Sequence, residues 1–315
     1  MRSNLTFVRT TSLSRSAGIL TVAVALFFSI RTGAAFHEPD VVRIDPGVFT
    51  YRIAGEFTQA SRPINAPLVK TRRDYPLVIM RTQVSAADFD LCVADGSCRS
   101  RDATAKRADL PATGVSWHDA ADYAKWLSAK TGQRWRLPTD EEWSYAAGSR
   151  FKNDAITVAG ADFSTRQLAK YDREDRSERA TARALRPFGA FGANEHGILD
   201  MAGNVWEWTD TCFVRQTLDV AGRPSEVPTV NCGVRVVAGE HRSYIADFIR
   251  DPKSGGCSIG TPPTHLGFRL VRDDQPAQVS QLSRLLMRVR DVAAILPGSL
   301  WSQWKGDQQG QRQKR

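Results

Sequence analysis

The chain reads as an α+β domain with little regular secondary structure, and three observations predict it. Two segments, Ser116 to Gly132 and Thr139 to Gly148, carry start and stop signals for helices. The other apolar stretches before Asp274 are short, separated by turns, and strand-like in length. Eight tryptophans in 315 residues suit an irregular fold in which aromatic side chains pin loops together. Hydrophobic residues at 42% and charged residues at 24% are globular values, so a sizeable core can be buried.

The elements follow in order. Arg2, Arg9 and Arg15 give a positive, acid-free start, and the apolar run Ala17 to Ile30 leads to small residues at Thr32, Gly33, Ala34 and Ala35. That run falls short of the ~20 residues a spanning helix needs. Residues 1–35 therefore read as a cleaved signal peptide, with an uncleaved anchor as the alternative. Either way the domain is expected to be periplasmic or secreted.

Residues 36–274 form the domain. Residues 42 to 100 read as short strands and turns, with a short helix from Val84 to Cys92. Ser116 and Asp119 make an imperfect capping box; Ala120, Tyr123, Ala124 and Leu127 recur at helical spacing, and Gly132 stands at C′. Thr139 with Glu142 is a cleaner box, entered from Pro138. His118, in a first helical turn, reads as a surface or capping residue rather than a ligand. Residues 151 to 187 are charged and weakly periodic, as a solvated loop or short helix would be. Val236, Val237, Phe248 and Ile249 are spaced as in short strands, and Gly267-Phe-Arg269 starts a closing strand.

After Asp274 the pattern changes. Val279, Leu282, Leu285, Leu286, Val289, Val292 and Ile295 share one helical face, with Arg284, Arg288 and Arg290 elsewhere. Residues 275–315 read as an amphipathic helix and a basic tail. The helix either docks on its own domain or, through 279–304, lies peripherally on an anionic membrane.

A net charge of +9 and a pI near 9.6 raise the question of nucleic acid. The basic residues are dispersed among acidic ones except near the C-terminus, and no nucleic-acid motif is present, so that class is set aside. Five cysteines fit an oxidising compartment. Cys92 and Cys98 flank a turn-rich loop and are one candidate pair. Cys212 with Cys232 is a second, which leaves Cys257 over; Cys212 with Cys257 is equally open. No CxxC spacing or His pair accompanies them, which argues against zinc.

The densest stretch is Leu199-Asp-Met-Ala-Gly-Asn-Val-Trp-Glu-Trp-Thr-Asp210. Gly203 and Asn204 tolerate positive φ, so a sharp turn there can aim Asp200 and Glu207 at one point. Oxygen ligands around such a turn suit calcium. The competing reading has both carboxylates accepting backbone hydrogen bonds. Trp206 and Trp208 alternate, so they share one face and leave Glu207 on the other.

This stretch resembles the Asp/Asn-Met-x-Gly-Asn-x-Trp-Glu-Trp signature of the formylglycine-generating-enzyme, or sulfatase-modifying-factor, family. Similar pieces occur in the family's order: Ile44 to Thr50, Gly114-Val-Ser-Trp-His-Asp-Ala-Ala120, Arg136-Leu-Pro-Thr-Asp-Glu-Glu-Trp143 and His265-Leu-Gly-Phe-Arg269. The resemblance implies one α+β domain of the formylglycine-generating-enzyme type, related to C-type-lectin-like folds. It implies a structural calcium ion held by Asp200, the Gly203 and Val205 carbonyls, and Glu207. It also places Trp206 close to the family's active groove, as a lining residue or as a core tryptophan.

The catalytic members bind copper(I) with two cysteines in a Cys-His-x-Ser-Tyr-Cys stretch. Here that stretch is Glu240-His-Arg-Ser-Tyr-Ile245, so Glu240 and Ile245 replace both thiols. Neither is a soft donor, and no copper site is expected. Glu240, His241 and Tyr244 remain as candidate acid–base residues, although strand alternation puts His241 on the face opposite Glu240 and Tyr244. The iron-dependent ergothioneine relatives need a histidine-rich extra domain, which five scattered histidines do not supply.

The resemblance therefore points to an exported maturation or accessory factor. Its partner would be a periplasmic protein or a peptide or metabolite substrate, such as a copper nitrite reductase or a siderophore precursor. A non-catalytic lectin-like binding module and an atypical formylglycine-generating enzyme are the alternatives.

Overall fold

The computed structural model describes residues 36–102, 107–152, 185–251 and 265–274, together with 165, 168, 169 and 172. The expected signal peptide, the amphipathic tail and Cys257 lie outside the described residues.

Short apolar runs set the first half. β1 (Val41–Ile44) buries Val42 and Ile44 and exposes Arg43, as a half-buried strand should. β2 (Gly47–Arg52), β3 (Glu56–Gln59), β4 (Arg62–Ile64) and β5 (Leu68–Arg73) follow through turns, and β6 (Leu77–Met80) is buried throughout. The first helix, α1 (Ala86–Ala94), begins two residues later than its apolar pattern suggests. The reason is tertiary: the Val84 amide donates to the Phe268 carbonyl at 2.9 Å, and the Val84 carbonyl accepts from Ala112 at 2.8 Å. Val84 is thereby held in extended pairing, and Ser85 becomes the N-cap.

The capping chemistry places the other two helices. In α2 (Trp117–Thr131) the Ser116–Asp119 box closes in both directions although its acid is one methylene short, and Gly132 is left-handed at the end. α3 (Asp140–Ala147) has the reciprocal Thr139–Glu142 box. β7 (Trp135–Arg136) lies between them. The long strands β8 (Trp206–Leu218) and β9 (Thr229–Ala238) precede β10 (Arg242–Ala246). Phe248 and Ile249, expected in strand, instead lie in a turn, which the Ile249 amide closes on the Ala246 carbonyl.

The closing strand comes in two pieces, β11 (Leu266–Gly267) and β12 (Val271–Arg272). The first pairs parallel with β8; the second lies between β6 and β7. Phe268-Arg-Leu270 thus crosses from one sheet to another. Among the described residues the sheets are ordered β1-β6-β12-β7 and β10-β9-β8-β3-β4 with β11 beside β8, and β2-β5 forms a separate pair.

Two large buried clusters fill most of the interior of the described residues, with a smaller third of Phe57, Ala66 and Leu218. One gathers Phe89, Tyr123, Leu127, Trp206, Trp208, Ile245 and Phe268; the other gathers Ile79, Trp143, Ile198, Met201 and Val271. Each such large side chain contributes about 1.5–3 kcal/mol when fully buried. Two disulfides are present among the described residues. Cys92–Cys98 is buried beside α1, and Cys212–Cys232 joins β8 to β9. The second settles a pairing that the sequence leaves open.

Candidate functional site

The turn before β8 is built from left-handed residues, of which Asn204 is expected from the sequence and Asp200 and Ala202 are not. Asp200, Ala202 and Asn204 take φ of 57°, 55° and 66°, whereas Gly203 does not have positive φ. Gly203 is required by space: a Cβ there would come within 2.7 Å of the Phe191 ring. Asn204 exchanges two hydrogen bonds with the backbone of Arg186, from its Nδ2 to the carbonyl and from the amide to its Oδ1.

From this turn β8 emerges between the two cores. Trp206 and Trp208 face one cluster, as their alternation predicts, and Glu207 points the other way towards Trp143. Both Glu207 oxygens are engaged. Oε1 accepts from Gln83 Nε2 at 2.8 Å and Arg269 Nη2 at 2.7 Å; Oε2 accepts from Trp143 Nε1 at 2.8 Å and Arg269 Nε at 2.7 Å. Arg269, fully buried at the crossing between sheets, spends its remaining donors on the Met80, Arg81 and Leu199 carbonyls. All five guanidinium donors and all four carboxylate acceptor positions are used.

This arrangement bears on the expected calcium. The Asp200 carboxylate accepts from the Gly189 and Phe191 amides at 2.6 and 2.8 Å, and the Gly203 carbonyl accepts from the Val205 amide at 2.8 Å. Glu207 has no acceptor position to spare, and its charge is met by Arg269. Asp200, the Gly203 carbonyl and Glu207, all named for that ion, are thus each engaged by protein donors in this structure. The competing reading, carboxylates holding backbone, describes Asp200; for Glu207 the partners are side chains.

The residues singled out after β9 are placed as follows. Gly239 lies where a Cβ would strike the Trp206 ring at 2.7 Å. Trp206 itself is 3% exposed, and its indole donates to the His241 carbonyl at 3.1 Å. Of the two readings the sequence leaves open, its burial in the cluster with Tyr123 and Phe268 matches the core tryptophan. The His241 ring is also buried, edge-on to Trp206 at 5.4 Å, with Nδ1 donating to the Arg242 carbonyl at 3.0 Å. The Tyr244 hydroxyl accepts from the Gly55 amide at 2.7 Å and its ring meets Phe213. Glu240 lies half-buried in the bend before β10. The structure thus gives His241 and Tyr244 different neighbours, each anchored to backbone. Ile245 is fully buried among Tyr123, Trp206 and Phe268.

Sequence reasoning missed the buried arginines. Arg242 binds Asp140 through two bonds of 2.6 and 2.9 Å and reaches Ser144. Arg250 joins Asp119 and Asp102, and Arg136 clamps Glu142 at 2.6 and 2.7 Å. Asp119 and Glu142 are the capping-box acids: Asp119 ties its helix start to the distant Arg250, while Glu142 is held by the nearby Arg136 and, at 3.5 Å, by Arg73. Burial pushes the Glu142 carboxyl up, but the Arg136 charge and hydrogen bonds, aided by Arg73 and the Thr139 amide, outweigh it and hold it at about 2. A box acid followed by a buried helix face was the available signal; its partner was not readable. His118 is exposed, 3.3 Å from Asp247, as expected for a surface residue.

The class this defines is an α+β domain whose Trp-Glu-Trp strand is locked by a buried ion pair to a Gly-Phe-Arg crossing. The chain belongs to the family of the sulfatase-modifying factor enzyme 1-like domain, whose model matches residues 28–274. It is 32% identical over 193 residues to a formylglycine-generating enzyme of Mycobacterium tuberculosis, covering 54% of this chain and 59% of that protein. It is 34% identical over 113 residues to the inactive C-alpha-formylglycine-generating enzyme 2 of Mus musculus, covering 34% of each. The solved structure of PvdO from Pseudomonas aeruginosa aligns with 75% of this chain and 94% of its own, at 25% identity and a TM-score of 0.48. The chain spans about half the length of the formylglycine-generating enzymes it matches.

Proposed function

We propose that this protein is a maturation or accessory factor for an exported enzyme or secreted metabolite, acting without the copper–cysteine oxidation of its catalytic relatives. The observation that carries the reading is Ile245. At the position of the second copper-binding cysteine stands an alkyl group, fully buried in the core. At the first stands Glu240, a hard carboxylate. Copper(I) prefers soft thiolates, so this pair gives it no hold. Similarity to a protein named as inactive fits a scaffold retained without the oxidase site. The N-terminal charge and apolar pattern support export.

The test is direct. The protein is incubated with copper(I), oxygen and a Cys-x-Pro-x-Arg peptide, and the aldehyde is sought by mass spectrometry. No aldehyde is expected; catalytic yield would overturn the reading. Deletion of the gene, followed by mass and activity measurements on exported enzymes and metabolites, then identifies the client. A copper nitrite reductase and siderophore precursors are the first to measure. Unchanged products throughout would reject the accessory role.

A further inference from the structure

We propose that the Cys212–Cys232 disulfide is a thiol–disulfide exchange site for a cysteine-containing peptide or protein. This goes beyond the accessory reading and does not depend on the fate of the copper site.

Position makes the bond reactive. It bridges β8 and β9 where their register breaks: Cys212 pairs with Arg235, but Phe213 pairs with Asn231. The ladder is interrupted at the bridge, and Cys232 and its neighbours Asn231 and Gly233 are exposed, while Cys212 is half-buried. An incoming thiolate therefore reaches the Cys232 sulfur first and expels Cys212. The other disulfide offers no such approach, with Cys92 at 0% and Cys98 at 8% exposure.

Chemistry favours the same direction. Arg235 Nη1 lies 3.6 Å from the Cys212 sulfur. Its guanidinium is fixed, 3.9 Å from the Trp117 ring centroid, and the same nitrogen donates to the Asp210 carbonyl at 3.1 Å and carboxylate at 3.2 Å. A neighbouring guanidinium stabilises a departing thiolate, and a stabilised leaving group exchanges faster. Asp210 opposes this in part, but its side chain is 33% exposed and so partly screened by water.

The surroundings offer a peptide somewhere to rest. The Gly233 carbonyl accepts from the Asp247 amide at 3.0 Å, which brings the turn after β10 against the Cys232 loop. Phe248 in that turn is 68% exposed, which offers an apolar ring beside the loop. Trp117 is tied to the same turn, its amide donating to the Asp247 carbonyl at 3.0 Å.

The step balances as follows. A client thiolate attacks Cys232 Sγ; the client–Cys232 bond forms, the Cys212–Cys232 bond breaks, and Cys212 leaves as a thiolate beside Arg235. The second client thiolate then attacks the first client sulfur in the mixed disulfide; the client disulfide forms, the client–Cys232 bond breaks, and Cys232 leaves as a thiolate. Two electrons pass from the client dithiol to the protein, and the two protons go to the new thiols or to water. Further turnovers require a low-molecular-weight disulfide to reoxidise the pair.

The experiment uses the full chain and a reduced synthetic peptide with two cysteines. Free thiols are trapped by alkylation at intervals and read by mass spectrometry. One equivalent of oxidised peptide should appear as Cys212 and Cys232 become alkylatable, with Cys92–Cys98 intact. Arg235→Gln should slow the exchange by about three- to tenfold, and Arg235→Lys should recover part of it. Melting curves of both variants exclude simple loss of fold. No oxidised peptide, equal opening of both disulfides, or an unchanged rate in folded Arg235→Gln would overturn the proposal. Formylglycine production, found or not, leaves these readouts unaffected.

Discussion

The two ends of β8 differ more than two ends of one strand usually do. From Trp206 to Thr209 every residue is buried, and the strand is held by Arg269, Trp143 and the Val115 carbonyl. From Asp210 to Arg215 the same strand is half-buried or exposed, carries a disulfide, and faces Arg235 across a broken ladder. The family signature lies entirely at the inner end. In this structure that motif locks two sheets, while the disulfide lies beyond it. The buried pairing of Glu207 with Arg269 gives this signature a structural role that does not depend on any chemistry at the site.

Breaking the inner end should have the largest effect. Glu207→Gln removes the counter-charge of a fully buried arginine, which costs about 3–5 kcal/mol in such pairs. Urea denaturation should show that loss at neutral pH. The control at the outer end is Arg215→Ala: its partner Glu56 is 2.9 Å away but Arg215 is 62% exposed, so stability should move by less than about 0.5 kcal/mol. Equal effects would erase the distinction between the two ends.

The next effect in size depends on pH. Against the cost of burial, Arg136 holds the Glu142 carboxyl at about 2, well below the ordinary 4.5. A lowered folded value contributes stability that is full above pH 4.5 and is lost as pH falls through about 2. Glu142→Gln should cost about 3 kcal/mol at neutral pH, the stability that the lowered Glu142 value carries, while Arg136 keeps Asp273 at 3.0 Å. The gap from the parent should close as the pH falls through that window. A gap that stays constant down to pH 2 would mean that the Arg136–Glu142 pair is not what holds this helix start.

The disulfides come third. Loop-closure entropy assigns about 3 kcal/mol to a bridge spanning 20 residues and about 2 kcal/mol to one spanning 6. Cys232→Ser should thus destabilise at least as much as Cys98→Ser, even though Cys232 is exposed. Thermal melts of the two variants check this. A negligible effect of Cys232→Ser would show that the outer hairpin already frays in the native protein.

How far the sequence could be read follows the range of each interaction. The starts of α2 and α3 were legible because their caps lie within four residues, and the loop from Cys92 to Cys98 suggested its own bridge. The buried arginines were not legible, because Arg269 and Glu207 are 62 residues apart and nothing local announces their pairing. The role of Gly203 was misread for the same reason: the constraint comes from Phe191, twelve positions earlier, rather than from the φ of the turn. Phe248 failed as a strand residue because spacing of apolar residues does not register the hydrogen bond that closes a turn.

The smallest expected effect is the most pointed. If Arg269 is the counter-ion of Glu207, the inner end needs no cation, and exhaustive chelation of calcium should leave the melting temperature unchanged. An ion that binds only the native state would add RT ln(1 + [L]/Kd), ~2.7 kcal/mol at a hundredfold excess over Kd. Its removal would then be plain in a melting curve. Binding there would also require Glu207 to release at least one of its four hydrogen bonds. A fall in melting temperature on chelation, absent in Glu207→Gln, would therefore mean that the turn opens to take the ion. Unchanged curves would leave the guanidinium as the charge on which this signature closes.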